Sequence, residues 1–452
     1  MAREIRLNAF AMNCVGHMAP GLWRYPGDQS DRYTDLEHWA EIARLLEQGR
    51  FDGLFLADVL GPYDVYQGSA DPAIRQGVQV PVNDPLFLVP AMAQVTKHLG
   101  FGVTSSLTYE HPYSFARRAS TLDHLTKGRF GWNIVSSYLD SAARNFGFNR
   151  QTEHDERYDY ADEYMEVCYK LWEQSWENDA VPRDRQNGLF ADPRKVHPIG
   201  HSGKHFKVPG FHICEPSPQR TPVLYQAGSS RRGQQFAARH AECVFVGAPS
   251  AYIVAKYVRN LRRQLVEAGR SERDVLVFAL FTVVLAATQS EAEDKLARYR
   301  TYIDSEGALA LMSGWTGIDL SQYKLDQELR ANPTDANQSA LESFTVAEPD
   351  RRWTIREIAE YVGIGGRGPV IAGSAHTVAD ELERWMEATD VDGFNLAYVI
   401  LPDTYQDIVT WLIPELQRRG VYKREYAPGT LRQKLFGHGP YLPGNHVGRR
   451  IK

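Results

Sequence analysis

Short apolar runs alternate with helical segments along this chain, and that alternation limits its fold more than any other feature. Runs rich in Val, Ile, Leu and Phe are typical of buried strands, and a strand, a helix and a second strand form a βαβ unit of a parallel sheet. Eight such strands can be read from the sequence, which is the number that closes into a (β/α)₈ barrel. The sequence therefore predicts an α/β fold of the TIM barrel type.

The predicted strands cover residues 5–10, 53–57, 100–106, 129–136, 222–227, 242–247, 275–286 and 393–400. The predicted helices cover residues 36–46, 85–98, 114–125, 158–173, 233–240, 252–268, 377–388 and 405–418. A doubly wound open sheet is the alternative. The barrel is favoured because no early strand opens into the GxGxxG turn of dinucleotide-binding sheets.

Three segments do not fit the repeat, namely residues 61–84, 174–219 and 305–369. They are rich in Gly, Pro, Asp and Asn, and they are far longer than the roughly 2–6 residues of ordinary βα loops. We expect one TIM barrel domain over residues 1–452, with these insertions forming a lid or contacts between subunits.

Charge and composition exclude several classes of partner. Lysine and arginine number 51 against 56 aspartates and glutamates, so the net charge is −5 and offers no positive field for nucleic acid or anionic lipid. The N-terminus MAREIR is charged, and the longest apolar run, 275–287, is shorter than the roughly 18 residues of a membrane span. We expect a cytoplasmic protein without nucleic-acid or membrane partners.

Polar side chains gather where the predicted strands end, which is the face on which barrel enzymes bind their ligands. Each of them alone is more readily a loop or capping residue, but their convergence predicts an active site. They are Asn13, Cys14, His17, Asp58, Tyr63, Thr104, Ser105, Ser136, Ser137 and Tyr138.

The segment QAGSSRRG, residues 226–233, runs from a predicted strand through Gly228, Ser229 and Ser230 into a helix. Free backbone N–H groups, two hydroxyls and the helix dipole would meet there, with Arg231 and Arg232 nearby, and such a turn suits a phosphate. A serine cap at a glycine turn explains the segment equally well.

His154 and Tyr158 are four residues apart and would share one helix face, as a ligand clamp could. The histidines lack the spacing of metal ligands, so no metal site is predicted.

Long ordered blocks of the sequence resemble the bacterial-luciferase-like flavin monooxygenases. The blocks are LNAFAMNCVGHMAPGLWR, FDGLFLADVLGPYDVY, QVPVNDP, TYEHPYSFARRASTLDHLTKGRFGWNIVSSYLDSAARNFG, EHDERYDYADEYMEVCYKLWE and HICEPSPQRTPVLYQAGSSRRG. Within that superfamily they are similar to the nitrilotriacetate monooxygenase group, which includes alkane and dimethyl sulfide monooxygenases and riboflavin lyase. The resemblance covers nearly the whole chain.

This resemblance implies a barrel that binds reduced FMN supplied by a separate NAD(P)H:flavin reductase. It implies that O₂ adds to the flavin as a peroxide or hydroperoxide, which oxidises a small, largely apolar substrate of the organosulfide or alkane type. It also implies a homodimer or homotetramer. The block SSYLDSA, with GWTGIDL and RWTIREIAEYVGIGGRGPVIAG, looks closest to dimethyl sulfide monooxygenase.

The resemblance also assigns residues. Those on the cofactor would be Asp58, Thr104 and Ser137 at the isoalloxazine, His154 and Tyr158 at the ribityl-phosphate side, and Gly228, Ser229 and Ser230 at the phosphate. Those in the catalytic set would be Cys14, His17, Tyr63, Gln79 and Tyr138. Tyr138 and Leu311 stand where the alkane enzyme has histidines. His17, with an ordinary pKa near neutrality, is the candidate proton donor or hydrogen-bond partner of the flavin peroxide.

Three other functions remain open at this point. Riboflavin lyase, or another enzyme that degrades heteroaromatic compounds, belongs to the same group. Deazaflavin-dependent hydride-transfer enzymes share the barrel. A flavin-binding barrel without catalysis is the third, although the retained His17, Tyr63 and Gln79 argue against it.

Overall fold

The computed structural model describes residues 3–330, 336–348 and 350–451, with the side chains of residues 154, 338 and 339 left out. All eight predicted strands are present, and their ends lie within three residues of the predicted ones. In chain order the strands are β1 (Arg6–Met12), β2 (Gly53–Ala57), β3 (Gly100–Ser106), β4 (Phe130–Val135), β5 (His201–Ser202), β6 (Lys207–Val208), β7 (Val223–Gln226), β8 (Cys243–Val246), β9 (Leu276–Leu285), β10 (Val370–Gly373) and β11 (Gly393–Ala397).

The main strands form a closed parallel barrel in the order β1-β2-β3-β4-β7-β8-β9-β11, and β11 pairs again with β1. The barrel prediction is confirmed, and the open-sheet alternative is wrong. Because each strand is buried on both faces, it reads as an apolar run without alternation.

β10 was not predicted. Thr282 of β9 pairs with both Val370 of β10 and Ala397 of β11, so these two strands lie on opposite edges of β9. β8 pairs with β9 only as far as Ala279, and β10 occupies the same edge beyond that point. The strand directly follows the third insertion.

The helices surround the barrel and also build the insertions. They are α1 (Leu36–Gln48), α2 (Asp71–Gln76), α3 (Val89–Gln94), α4 (Pro112–Leu125), α5 (Asp140–Asn145), α6 (His154–Tyr169), α7 (Arg231–His240), α8 (Ala251–Glu267), α9 (Gln289–Arg300), α10 (Ser305–Thr316), α11 (Gln338–Ser343), α12 (Ile355–Val362), α13 (Ala375–Thr389), α14 (Asp403–Asp407), α15 (Ile413–Arg419), α16 (Leu431–Phe436) and α17 (Val447–Arg450). None of the helices in the described ranges is long and apolar enough to cross a membrane.

One predicted helix, 85–98, is wrong as a single element. A 3₁₀ turn covers Pro85–Phe87, and α3 then begins, with Pro90 in its first turn. Proline has no N–H to donate to a carbonyl of a preceding helical turn, so it is tolerated in a first turn and not further along a helix. α3 ends at Gln94, where the buried Arg129 guanidinium donates to the carbonyls of Ala93 and Thr96.

The lower half of the barrel is filled by aromatic side chains. Phe55 stacks on Phe245 with ring centroids 4.1 Å apart, and Phe10 and Tyr225 pack beside them. Leu431 and Leu435 of α16 close this cluster from the C-terminal segment. The barrel therefore has a solid floor, and space for a ligand remains at the carboxyl ends of the strands.

The first and third insertions pack on each other in a second apolar cluster, separate from the barrel core. α10 is its centre, with every residue from Gly307 to Thr316 buried. Gly314 is required there because a Cβ atom would lie 1.9 Å from the Tyr63 ring. This contact brings the first insertion directly against α10.

Candidate active site

A cavity of about 280 Å³ opens at the carboxyl ends of the barrel strands. Each of the eight barrel strands contributes to its wall, and the loops after them supply most of the polar groups. The predicted site residues in the wall are His17, Asp58, Tyr63, Gln79, Thr104, Ser137, Tyr138, Tyr158, Gly228, Ser229 and Ser230. The structure thus brings together residues that are up to 213 positions apart in the sequence.

Four of the predicted catalytic residues are connected by hydrogen bonds. The Tyr63 hydroxyl lies 3.1 Å from the Tyr138 hydroxyl and donates to Gln79 Oε1 at 2.8 Å. Gln79 Nε2 in turn donates to the backbone carbonyl of His17 at 2.8 Å. The backbone of Gln79 has φ 51°, a left-handed conformation that is uncommon for a residue with a side chain. Both ends of its amide are bonded, which holds it in that conformation.

Both phenols in this chain of hydrogen bonds remain protonated at neutral pH. Burial raises the pKa of Tyr138 to about 12 and raises the pKa of Tyr63 well above its ordinary value. Tyr63 has a single hydroxyl proton and donates it to Gln79 Oε1, so Tyr138 is the phenol that can donate to a ligand, in exchange for its bond to Tyr63.

His17 is buried against Phe10, with ring centroids 4.5 Å apart in an edge-on arrangement. Neither ring nitrogen has a hydrogen-bond partner among the described residues. Desolvation lowers the pKa of His17 to about 3. The expectation that this histidine titrates near neutrality is therefore wrong: it is a neutral imidazole, able to donate or accept one hydrogen bond in the cavity.

Asp58 follows β2 at the cavity wall. Burial, and next the negative charge of Asp84, raise the pKa of Asp58 to about 7, while the Val59 N–H lowers it. The carboxyl group is therefore partly protonated at neutral pH and can donate as well as accept.

Sequence reasoning missed two acceptors that lie deeper in the barrel. Asn133 Nδ2 donates to Thr104 Oγ1 at 2.8 Å, but Asn133 Oδ1 has no partner within the described ranges. Gln226 Oε1 is likewise buried without a partner there. The available signal was a polar residue inside the apolar strands FGWNIV and VLYQ.

The predicted phosphate turn lies at the N-terminus of α7. Ser230 caps this helix, its Oγ accepting from the Gly233 N–H at 3.0 Å. A Cβ atom on Gly228 or on Gly233 would come within 2.7 Å of the Tyr158 hydroxyl. The two glycines therefore allow that hydroxyl to lie beside the turn.

Neither of the two arginines expected beside the turn lines the cavity, although Cζ of Arg232 lies 5.6 Å from the centroid of the Tyr158 ring. Arg231 is exposed, and Arg232 is bonded to Asp159 and Asp162 at 2.9 and 2.8 Å. Arg157 of α6 is the arginine in the cavity wall at this end.

Three of the residues predicted at the strand ends, Asn13, Cys14 and Ser105, are not part of this wall. Cys14 is buried behind it, paired with Val82 in an isolated bridge, and burial together with the Asp58 charge raises the pKa of its thiol. It is therefore a thiol and not a nucleophilic thiolate. The side chain of His154 lies outside the part of the chain that the structure describes.

The second insertion, 174–219, is also absent from the wall. It packs on α4 and α6, where His212 bonds Ser120 at 2.9 Å and Glu163 accepts from the backbone N–H groups of His205 and Phe206. In the described part of the chain no group of three or more histidine, cysteine, aspartate or glutamate side chains is arranged to hold a metal ion.

These residues fit FMN. The Gly228–Ser230 turn offers donors for a phosphate, and the unpaired amide oxygens of Asn133 and Gln226 could accept from ring N–H groups. The faces of Phe10, Phe55 and Phe245 are apolar, as a flat aromatic ring system requires.

Comparison with known proteins identifies relatives of the whole chain. The profile of the luciferase-like monooxygenases matches residues 15–392. Dimethyl-sulfide monooxygenase of Hyphomicrobium sulfonivorans is 53% identical over 97% of this chain and 91% of that protein. Long-chain alkane monooxygenase of Geobacillus thermodenitrificans (strain NG80-2) is 51% identical over 100% of this chain and 99% of that protein.

The crystal structure of long-chain alkane monooxygenase (LadA) superposes with a TM-score of 0.92 at 50% identity, over 100% of both chains. Nitrilotriacetate monooxygenase component A of Aminobacter aminovorans is 36% identical over 95% of this chain and 95% of that protein.

Proposed function

This chain belongs to the luciferase-like monooxygenase family, and from that premise we propose that it is an FMNH₂-dependent monooxygenase. Its co-substrate is O₂, and its substrate is a small, largely apolar organic molecule of the organosulfide or alkane type. The substrate class follows the names of the dimethyl-sulfide and alkane relatives.

One observation carries the proposal. A single cavity has the phosphate-type turn Gly228–Ser230 in its wall and, elsewhere in the same wall, the bonded phenols of Tyr63 and Tyr138. Apolar and aromatic side chains line much of the remainder, including Phe10 and Phe55. This wall therefore offers separate contacts for a phosphate, for a flat ring and for a small second molecule.

The chain's residues divide between the two ligands. Those proposed to bind the flavin are Asp58, Thr104 and Ser137 at the ring system, Tyr158 and, by resemblance alone, His154 at the ribityl side, and Gly228, Ser229 and Ser230 at the phosphate. Asn133 and Gln226 join this set because their amide oxygens have no partner in the described structure.

The other residues would control protons and water at the reacting end. Reduced FMN, when bound, supplies the electrons that activate O₂ for transfer of one oxygen atom to the substrate. The neutral His17 ring and the protonated Tyr138 hydroxyl supply hydrogen bonds there, while Gln79 positions Tyr63 and Tyr63 in turn positions Tyr138. None of these groups is a strong acid, so none of them releases a proton into the site at neutral pH.

The first and third insertions are proposed to exclude water. Tyr63, Gln79, Trp315 and Arg367 reach the cavity from these segments, and an enclosed apolar site protects a reactive oxidant from hydrolysis. The second insertion, on the outside of the barrel, is left as the candidate for contacts between subunits of a homodimer or homotetramer.

A separate NAD(P)H:flavin reductase is proposed to deliver FMNH₂. The relative called component A carries a name that implies a multi-component system. Dependence on NAD(P)H would place both proteins in the cytoplasm.

The decisive experiment supplies FMN, NADH, a flavin reductase and ¹⁸O₂ to the purified protein with dimethyl sulfide, an n-alkane or riboflavin in parallel. Mass spectrometry should find one ¹⁸O atom in an oxidised product of the sulfide or the alkane, and none without the reductase. Absence of label in every product despite delivery of FMNH₂ would overturn oxygenation. Turnover of an alcohol without O₂ on reduced deazaflavin would instead support hydride transfer.

A further inference from the structure

Arg367 lies in the cavity wall, and the proposed flavin contacts do not use its charge. Its Nη1 atom is buried without a hydrogen-bond partner, and its guanidinium forms no ion pair with any residue of the described ranges. Its nearest ring contact is Trp315, whose centroid is 5.8 Å from Cζ. The residue as a whole is half-buried, but a buried guanidinium nitrogen without a partner is costly unless a ligand completes it.

The backbone holds Arg367 rigidly in place. Gly365 and Gly366 have φ 80° and 64°, and a Cβ atom on Gly366 would lie 2.7 Å from Met18 Sδ. The Gly365 N–H donates to the Met18 carbonyl at 2.9 Å, and the Thr282 N–H donates to the Pro369 carbonyl at 3.0 Å. The turn is thus tied to the barrel on both sides of the arginine, so its position does not depend on a ligand.

The surroundings of Arg367 include no carboxylate within the described structure. Burial lowers the pKa of Arg367, and Tyr138 is the neighbour whose phenolate form would raise it. Arginine nonetheless stays charged at neutral pH, because its ordinary pKa is above 12. Asp58, the acid in the same wall, is affected by Asp84 and not by Arg367.

The guanidinium therefore lies at the Tyr138 end of the cavity, next to the phenols. The phosphate turn Gly228–Ser230 has its own donors and has Arg157 in the wall beside it. Trp315, Met18 and Leu280 are the apolar side chains beside Arg367. An anion that meets Arg367 would carry an apolar body against these side chains.

We propose that Arg367 is the anchor for an acidic group of the substrate. Resting on the proposed function, this narrows the substrate to a small sulfide or alkyl compound with one carboxylate or other oxyanion. Arginine suits this role because its planar fork pairs with both oxygens of such a group. The apolar end of the molecule would then be directed towards Tyr63 and His17.

The test measures binding to the protein loaded with oxidised FMN, so that no turnover occurs. The probes are 3-(methylthio)propanoate and its neutral isostere 3-(methylthio)propanamide, titrated by calorimetry. The variants are Arg367→Met, Arg367→Lys and, as matched control, Arg356→Met, which removes an exposed arginine of α12 in the same insertion.

The native protein should bind the acid about 10-fold or more tightly than the amide, the value of one charge-assisted hydrogen bond. Arg367→Met should abolish that preference, because it weakens binding of the acid and leaves binding of the amide unchanged. Arg367→Lys should retain part of the preference, and Arg356→Met should retain all of it. FMN affinity should be the same in all four proteins.

Equal binding of the two probes, or no binding of either, would overturn the anchor. Loss of FMN affinity in Arg367→Met without a change in probe preference would assign the guanidinium to the flavin instead. A separate turnover with ¹⁸O₂ distinguishes this from failure of the proposed function. Preferential binding of an acid that never takes up label would leave the anchor standing and remove sulfide oxygenation.

Discussion

The Tyr63 hydroxyl donates a 2.8 Å hydrogen bond to Gln79 Oε1, and both side chains are at most 4% exposed. The two residues open and close the first insertion, so this bond ties its ends together at the cavity. Gln79 also forms a hydrogen bond with the His17 carbonyl, and Tyr63 forms one with the Tyr138 hydroxyl. The reacting end of the cavity is therefore one connected unit.

Tyr63→Phe should break this unit. It leaves the buried Gln79 oxygen unpaired and removes the partner of the Tyr138 hydroxyl. An unpaired buried oxygen costs about 1–3 kcal/mol of free energy, so kcat/KM for oxygenation should fall by about 10-fold or more. FMN affinity should not change. The matched control is Tyr361→Phe, which removes a buried hydroxyl that has no partner in the described structure. Equal product yields from the two variants would contradict the role of Tyr63.

His17→Gln should preserve FMN binding and lower substrate oxidation, because glutamine cannot reproduce a ring nitrogen held against Phe10. Since burial lowers the pKa of His17 to about 3, the native pH profile should contain no histidine step between pH 5 and 8 that this variant removes. Product yield and flavin fluorescence measure the two properties separately. A step near pH 6.5 that disappears in His17→Gln would show that the ring does titrate there.

The eight strands could be predicted because each is an apolar run buried on both faces, and that pattern does not depend on distant residues. β10 could not be predicted, because four residues, VIAG, between glycines carry too little periodicity. The helix predicted over 85–98 failed for a related reason. The apolar spacing continues through Pro90, but a helix does not.

The polar strand ends were predictable because barrel topology alone gathers them. The inward orientation of Asn133 and Gln226 depends on the register of β4 and β7, which the sequence does not state. The position of Arg367 depends on where a distant insertion folds back on the barrel. The pKa of His17 depends on desolvation by neighbours that are known only once the chain is folded.

Asp58→Asn should change how stability depends on pH. Burial raises the pKa of Asp58 to about 7, from about 3.9 in the unfolded chain. A raised pKa means that the folded state favours the neutral acid. The free energy of unfolding of the native protein should therefore fall as the pH rises from about 4 to about 7, and Asp58 should cause no further fall above pH 7. Asparagine removes this loss. In flavin-free protein the Tm difference, variant minus native, should therefore grow over that interval.

The control for this measurement is Asp326→Asn, at an exposed position whose side chain forms no hydrogen bond in the described structure. Its Tm should run parallel to that of the native protein at every pH. Parallel curves for Asp58→Asn as well would mean that Asp58 is ionised normally in the fold.

Gly233→Ala should separate phosphate binding from ring binding. The new Cβ atom would meet the Tyr158 hydroxyl at 2.7 Å and Ser230 Oγ at 3.0 Å, displacing two groups proposed to hold the ribityl-phosphate side. FMN affinity should fall by about 10-fold, the value of one charge-assisted hydrogen bond, and riboflavin affinity should fall by less, because riboflavin has the ribityl chain but no phosphate. Fluorescence titration measures both. Gly210→Ala, with nothing within 4 Å of its Cβ, is the control. An equal loss for both flavins would place the phosphate elsewhere.

Arg432→Met should destabilise the barrel floor. Arg432 of α16 is fully buried, and its guanidinium bonds Glu242 at 2.7 and 2.8 Å and donates to the carbonyls of Thr221 and Pro222. Methionine leaves the Glu242 carboxylate buried without its counter-charge, which costs about 3–5 kcal/mol. The free energy of unfolding in urea should fall by that amount.

Glu242→Gln should cost a similar amount, because it leaves the arginine uncompensated. The double variant should cost less than the sum of the two, since the second substitution removes the charge that the first left unpaired. Arg263→Met removes an exposed arginine 3.7 Å from Glu267 and should change stability by less than about 1 kcal/mol. Additive losses in the double variant would mean that the two side chains act independently.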